Sequence, residues 1–352
     1  MKNFDQILDV SIRHRIFLQR LAANHEQKLA KLLSDGARDK AAIVREGLDV
    51  ALAEGKFTRR QAAILAKMEK ELGKAIGETI DSAKDWYIHE LDELVQNEIE
   101  GAAKILSAGI PGGRADVIKL PALANVRRLT ETTPYSGYTI EQWFSGTSET
   151  AMRRTMARIR VGIANGESIN GMVEGIRGTP AANYADGILT GYTERQARTI
   201  ARTLTNGVSN AAYQEVYAEN AELIAFERYT ATLDSRTSLV CASLDGNPYK
   251  VGEGPVPPLH PNCRSLRIAI TEGMAEDAKR GESGLANRQS YQEWLKRQPE
   301  WMQKEVLGET RQKLFAEGKM TLDKFIDHNG QTYALDQLKK VDKAAFKRAG
   351  IE

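Results

Sequence analysis

Apolar residues recur at three- and four-residue steps through the first third of the chain. Leu18, Leu21, His25, Leu29 and Leu32 fall on one helical face under that spacing. Gly36 and Gly55 punctuate the region, and Thr58 then offers an N-cap with Gln61 as its capping-box partner. No proline follows before Leu106, so the pattern predicts one helix of roughly 70 Å, with Gly73 and Gly77 as places for a bend. A helix of that length needs cover for its apolar stripe. Residues 1–107 therefore read as a helical bundle or as an elongated arm that docks on a partner.

The pattern breaks over 108–138, where Pro111, Gly112, Gly113, Pro121 and Pro134 oppose continuous helix. An extended linker or wrapping segment is expected there. Helical spacing resumes at about 140, in "TIEQWF" and then in a run from Thr147 to Ala164, with a short helix after Ser168. Thr193 and Gln196 look like a second capping box. They open a helix to about Glu219, with Ala197, Ile200, Ala201, Leu204, Val208 and Ala212 on one stripe. The period then changes. "LIAFERYTATL", Leu223–Leu233, and "RSLRIAIT", Arg264–Thr271, read as strands, with a turn at Asp245-Gly246. Helix returns after Gly284, and "KKVDKAAFKRAG" forms a basic helix or tail over 336–352. The expected fold is mainly α with a small α+β module: long N-terminal helices, central helices, and short antiparallel strands around a Pro/His/Cys loop. The module proper spans 139–335.

Composition narrows the function. Of 352 residues, 41% are hydrophobic and 27% charged, with 49 basic against 47 acidic side chains and a net charge of +2. That balance gives no dominant nucleic-acid surface. The basic runs "VRRLT" and "RRTMARIR" read as solvated helix faces before they read as DNA contacts. No run of about 18 apolar residues is present, so no membrane span is expected, and the start lacks the apolar core of a signal peptide. Two cysteines, Cys241 and Cys263, are too few for a disulfide framework.

Cys263 lies within the most unusual stretch, "PVPPLHPNCRS", and Cys241 lies shortly upstream of it. Cys241, His260 and Cys263 form a Cys-x18-His-x2-Cys series. Thiolate and imidazole together favour zinc over magnesium or calcium. Closure of a structural zinc site needs a fourth ligand, for which Asp234, Asp245 and His328 are candidates. The competing readings are two buried thiols beside a hydrogen-bonded histidine, and a Cys–His nucleophile pair with Asp234 or Asp245 as orienter. A local cluster flanked by prolines favours a structural corner, because catalytic partners usually come from distant sequence. Asp234 and Arg236 share one turn, which suits a locking ion pair, and Arg264 flanks the cluster. No phosphate-binding loop of the GxxxxGK[ST] type and no HExxH motif occurs, and no small-molecule substrate is indicated.

These residues resemble the Mu F-like head morphogenesis family, minor head proteins of tailed bacteriophages. The resemblance rests on Asp234-Ser235-Arg236-Thr237, Cys241, Leu244-Asp245-Gly246, Pro258 and His260-Pro261-Asn262-Cys263-Arg264. The downstream "YQEWLKRQPEWMQKEVLG" and "LFAEGKMTLDKFID" extend it over about 190–335. Family members often carry two further cysteines, where this chain has Ser238 and Ser265. Their Arg-Thr-Glu on the preceding helix is here Arg202-Thr203-Leu204. The resemblance implies a structural virion component made in the host cytoplasm and placed in the head interior or near the portal. Its partners would be the portal protein, the major capsid or other head proteins, and in one version phage DNA, with ejection alongside the genome. A zinc-dependent hydrolase or toxin-like enzyme and a DNA-contacting packaging accessory are the alternatives.

Overall fold

The computed structural model describes residues 3–53, 59–110, 112–279, 290–327 and 330–351. Thr58, of the first capping box, and His328, a candidate ligand, lie outside the described residues.

The helical expectation holds. α1 covers Asn3–Ser34 and α2 Ala37–Leu52, parted at Gly36, whose φ of +62° suits a residue without Cβ. α3 runs from Arg59 to Ala108, 50 residues without interruption. α4 (Leu123–Glu131), α5 (Ile140–Ala164) and α6 (Ile169–Arg177) follow. Then come a π-helical turn at Ile188–Tyr192 and α7, Thr193–Glu219. Three differences from the sequence reading have physical causes. Residues 108–138 are not extended throughout: α4 forms after Pro121, where a proline does not interrupt the hydrogen-bond ladder. It buries Val126 and Leu129. α5 is one helix rather than two pieces, because Phe144 and Thr147 are buried on either side of Gly146 and that burial outweighs the modest cost of a helical glycine. Thr193 is not an N-cap. Its hydroxyl donates to the Leu189 and Thr190 carbonyls, because the π turn already supplies the preceding helix.

Two compact units emerge, each assembled from separate stretches of chain. One comprises 16–96 and 124–208 and is helical. Its core includes Leu29, Val44, Leu48, Leu72, Leu91, Ile176 and Leu204, all fully enclosed. Tyr87 lies within it and donates its hydroxyl to the Ala201 carbonyl at 3.1 Å. His25, on the predicted apolar face of α1, is buried against Tyr87 and Trp86, and burial lowers its pKa. It is a core histidine.

The other unit comprises 1–15, 97–123 and 209–352. It holds a three-stranded antiparallel sheet of order β2-β1-β3: β1 Ile224–Thr230, β2 Pro248–Tyr249 and β3 Leu266–Thr271. α8 (Leu239–Leu244) lies between β1 and β2, and α9 (Glu272–Lys279) continues from β3. The pairing sets Tyr229 opposite Arg267 and Glu227 opposite Ala269, so alternation sends these four to one face. Ile268 and Ile270 take the other, where Phe226 and α3's Ile105 pack against them with Met274. Thr271 also donates to the Gly109 carbonyl at 2.6 Å. Glu227 and Arg267 are buried together as an ion pair at 3.2 Å, with side-chain exposures of 0% and 1%. Gln214 donates to the same carboxylate. Arg267 further donates to the Glu253 and Pro255 carbonyls and lies over the Tyr249 ring. One side chain on β3 thus holds the start of the proline-rich loop.

Short helices complete this unit: α10 (Tyr291–Lys296), α11 (Glu300–Leu307), α12 (Glu309–Ala316), α13 (Leu335–Val341) and α14 (Lys343–Arg348). Residues 336–352 are not a separable tail. Leu338, Ala345, Phe346 and Ala349 sit in one core with Tyr291, Leu295, Leu314 and Phe325. The lysines around them mask this in the sequence, because a short amphipathic helix shows only one or two apolar anchors.

Candidate functional site

Cys241, His260 and Cys263 come together: one ligand atom from each lies within 4.8 Å of the others. Three local devices bring this about. Ser238 caps α8, its hydroxyl accepting from the Cys241 amide at 3.3 Å, which fixes Cys241 in the first turn. His260-Pro261-Asn262-Cys263 is a turn closed by the Cys263 amide donating to the His260 carbonyl at 3.1 Å. Proline at its second position and Asn262 at φ +60° are what a type II turn requires. That turn places His260 and Cys263 on one side. Gly246, at φ +91°, returns the chain to β1 with its amide on the Tyr229 carbonyl.

The sulfurs of Cys241 and Cys263 are 3.7 Å apart, and Cys241 Sγ is 3.3 Å from His260 Nε2. Tyr229 donates its hydroxyl to Cys241 Sγ at 3.3 Å. His260 Nδ1 faces the Pro261 carbonyl at 2.9 Å. A carbonyl only accepts, so Nδ1 carries the proton and Nε2 turns toward Cys241 and the Ser238 hydroxyl, 2.8 Å away. Without a metal the two thiols share protons unequally. Hydrogen bonding from Cys263 lowers the Cys241 thiol most, against burial and with help from His260. The same bond pushes Cys263 up, with burial adding to it. The bond to Cys241 raises His260. Burial, then the charge on Cys241, raises Tyr229. A polar cavity of about 10 Å3 opens beside the cluster, lined in part by Ser238, Cys241, His260, Asn262, Arg264 and Ser265. It has room for about one water molecule.

The carboxylates named from sequence have other work. Asp234 takes two bonds from Arg264 Nη1 and Nη2, at 2.6 and 2.7 Å. Burial pushes Asp234 up, but the bonds and charge of Arg264 outweigh it, and the net direction is down. Arg236, the expected partner, reaches only 3.7 Å and is 80% exposed. It sits two residues along the same turn, where its guanidinium points to solvent. Asp245 accepts from the Ala231 and Tyr291 amides at 2.7 and 2.8 Å, which ties the end of β1 to the start of α10. Neither carboxylate lies in the sulfur–imidazole group, and both are engaged elsewhere. Thr237 bonds the Thr232 carbonyl and Asp234, closing the Asp234–Thr237 turn. Pro258 follows Pro257 through a cis peptide bond in the loop that leads to His260. Tyr229, Ser238 and Tyr291 were missed as site residues. Tyr291 donates its hydroxyl to the Asp234 carbonyl from 57 positions away, and no local pattern announces such a contact.

Replacing Arg264 with lysine keeps the charge but removes the paired geometry, and is expected to cost about 1–2 kcal/mol. Arg236→Lys is expected to change stability by less than about 0.5 kcal/mol. Denaturant melts of both variants check the assignment, and equal losses would return the lock to Arg236.

A family model described as Phage Mu protein F like protein matches residues 154–268, the stretch that carries β1, α8, the turn and the first half of β3. No curated protein and no solved structure matches the chain. Through that segment, about a third of the chain, the protein is similar to the Mu F-like family. The family points to phage head morphogenesis and to a structural role. No described helix is long and apolar enough to cross a membrane.

Proposed function

We propose that the chain is a minor head protein of a tailed phage, associated with the portal and structural rather than catalytic. The observation that carries this reading is what the signature residues do. Asp234, Thr237, Asp245, Gly246 and Asn262 hold backbone or close turns, Arg264 clamps the Asp234 carboxylate, and the cavity beside His260 admits about one water. A hydrolase needs room for a scissile group within about 3 Å of nucleophile and oxyanion donors, and the family match leads away from an enzyme. The helices of 1–107 and the segment 108–138 supply the portal contact in this proposal.

Quantitative mass spectrometry of purified proheads and virions tests it. The chain is expected in both at low copy number, and crosslinking should join it to the portal protein. Its absence from all particles would sink the head assignment. Presence with crosslinks only to other head proteins would remove the portal from it.

A further inference from the structure

We propose that Cys241, His260 and Cys263 bind one zinc ion through Sγ, Nε2 and Sγ, with the fourth position on the side of Ser238, open to the small cavity. Zinc at about 2.3 Å from each of two thiolates sets them about 3.8 Å apart in a tetrahedron, and a thiolate and an imidazole about 3.6 Å apart. The structure has 3.7 Å between the sulfurs and 3.3 Å between Cys241 Sγ and His260 Nε2. Both edges are therefore near the required lengths before any ion enters.

The surroundings fit a ligand set. A metal-bound histidine ordinarily donates its other ring nitrogen to a carbonyl or carboxylate, and His260 Nδ1 does so to Pro261. The tautomer that frees Nε2 is built into the turn. Tyr229 donates to Cys241 Sγ, which satisfies a second lone pair on a bound thiolate. Cys241 and Cys263 are buried and His260 is partly buried, so water competes weakly for the ligands. Ser238 Oγ lies 2.8 Å from Nε2 and lines the cavity beside the cluster. It or one water from the cavity completes the shell. The site has three strong donors and one weak one.

The proposal is independent of the head assignment, because a structural zinc serves any protein that uses this loop. It is tested on the full chain purified under reducing conditions. Elemental analysis is expected to find about one zinc per chain. Cobalt titration is expected to give the visible absorption of a tetrahedral site, with sulfur-to-metal bands from two thiolates. Cys241→Ser with Cys263→Ser should abolish both while circular dichroism reports the fold. Should that variant unfold, two gain-of-ligand variants decide. Ser238→Cys is expected to tighten cobalt binding about tenfold or more by closing the shell. His260→Cys should raise the sulfur-to-cobalt intensity by about half, as two thiolates become three. A folded chain without zinc and without a cobalt spectrum overturns the site, as does recovery of Cys241 and Cys263 as a disulfide. Unchanged affinity in Ser238→Cys overturns the placement of the fourth position.

Discussion

Replacing Arg267 with alanine is expected to destabilise the protein by about 3–5 kcal/mol at neutral pH, because it leaves the Glu227 carboxylate buried without its partner. The same change removes the guanidinium from the Tyr249 ring and from the Glu253 and Pro255 carbonyls, so the proline-rich loop loses its hold on β3. The pH dependence identifies the cause. Burial raises the pKa of Glu227, and the Gln214 hydrogen bond and the charge of Arg267 pull it back only in part. A carboxyl raised in the folded state binds more protons folded than unfolded, so its ionisation costs stability as pH rises from the unfolded value toward the folded one. That cost is complete above the folded value and absent below the unfolded value, near 4.3. Without Arg267 the folded value climbs further and the window widens. Urea melts of Arg267→Ala should therefore show a smaller loss at pH 4 than at pH 7. Adding Glu227→Gln should recover much of the loss at pH 7. A loss independent of pH, with no recovery from Glu227→Gln, would assign the effect to the loop contacts alone.

The stretch 139–335 is not expected to fold when expressed by itself. The sheet unit needs Ile105, which covers Ile268 and Ile270, and the Gly109 carbonyl that Thr271 bonds. It also needs Lys119, whose backbone exchanges two hydrogen bonds with the Asn220 side chain, each 2.8 Å. At the other end the cut removes Leu338 and Phe346 from a shared core, and losing one buried aromatic typically costs about 3–5 kcal/mol. These losses together are comparable with the whole stability of an ordinary domain, about 5–15 kcal/mol. The fragment should give no cooperative thermal transition, whereas the full chain should. A sharp transition in the fragment would show that the region matching the family carries its own core. The consequence for head incorporation is practical: a deletion of 1–138 removes the fold and the proposed docking region together. Substitutions on exposed helix positions are the cleaner probe of docking.

Much of the fold was legible in the chain because helical and strand periods are local properties. The α7 stripe of Ala197, Ile200, Ala201, Leu204, Val208 and Ala212 is fully buried as the spacing required. β1 and β3 formed where β-branched and aromatic residues clustered. The Cys241, His260 and Cys263 set was also legible from its residue types and spacing, whereas the Ser238 cap and the Pro261-Asn262 turn that fix its geometry emerged only in the structure. Residue type and spacing alone thus determined a mainly helical chain, a small antiparallel sheet, and a sulfur–imidazole group. Pairing across distance was decided only by tertiary structure. Arg264 rather than Arg236 took Asp234 from 30 residues away, Asp245 went to the Tyr291 amide across 46, and Glu227 and Arg267 met across two strands. The C-terminal helices entered a core with Tyr291, Leu314 and Phe325. A charged side chain's partner depends on which low-dielectric space the packing leaves around it. That space exists only once distant apolar faces have closed.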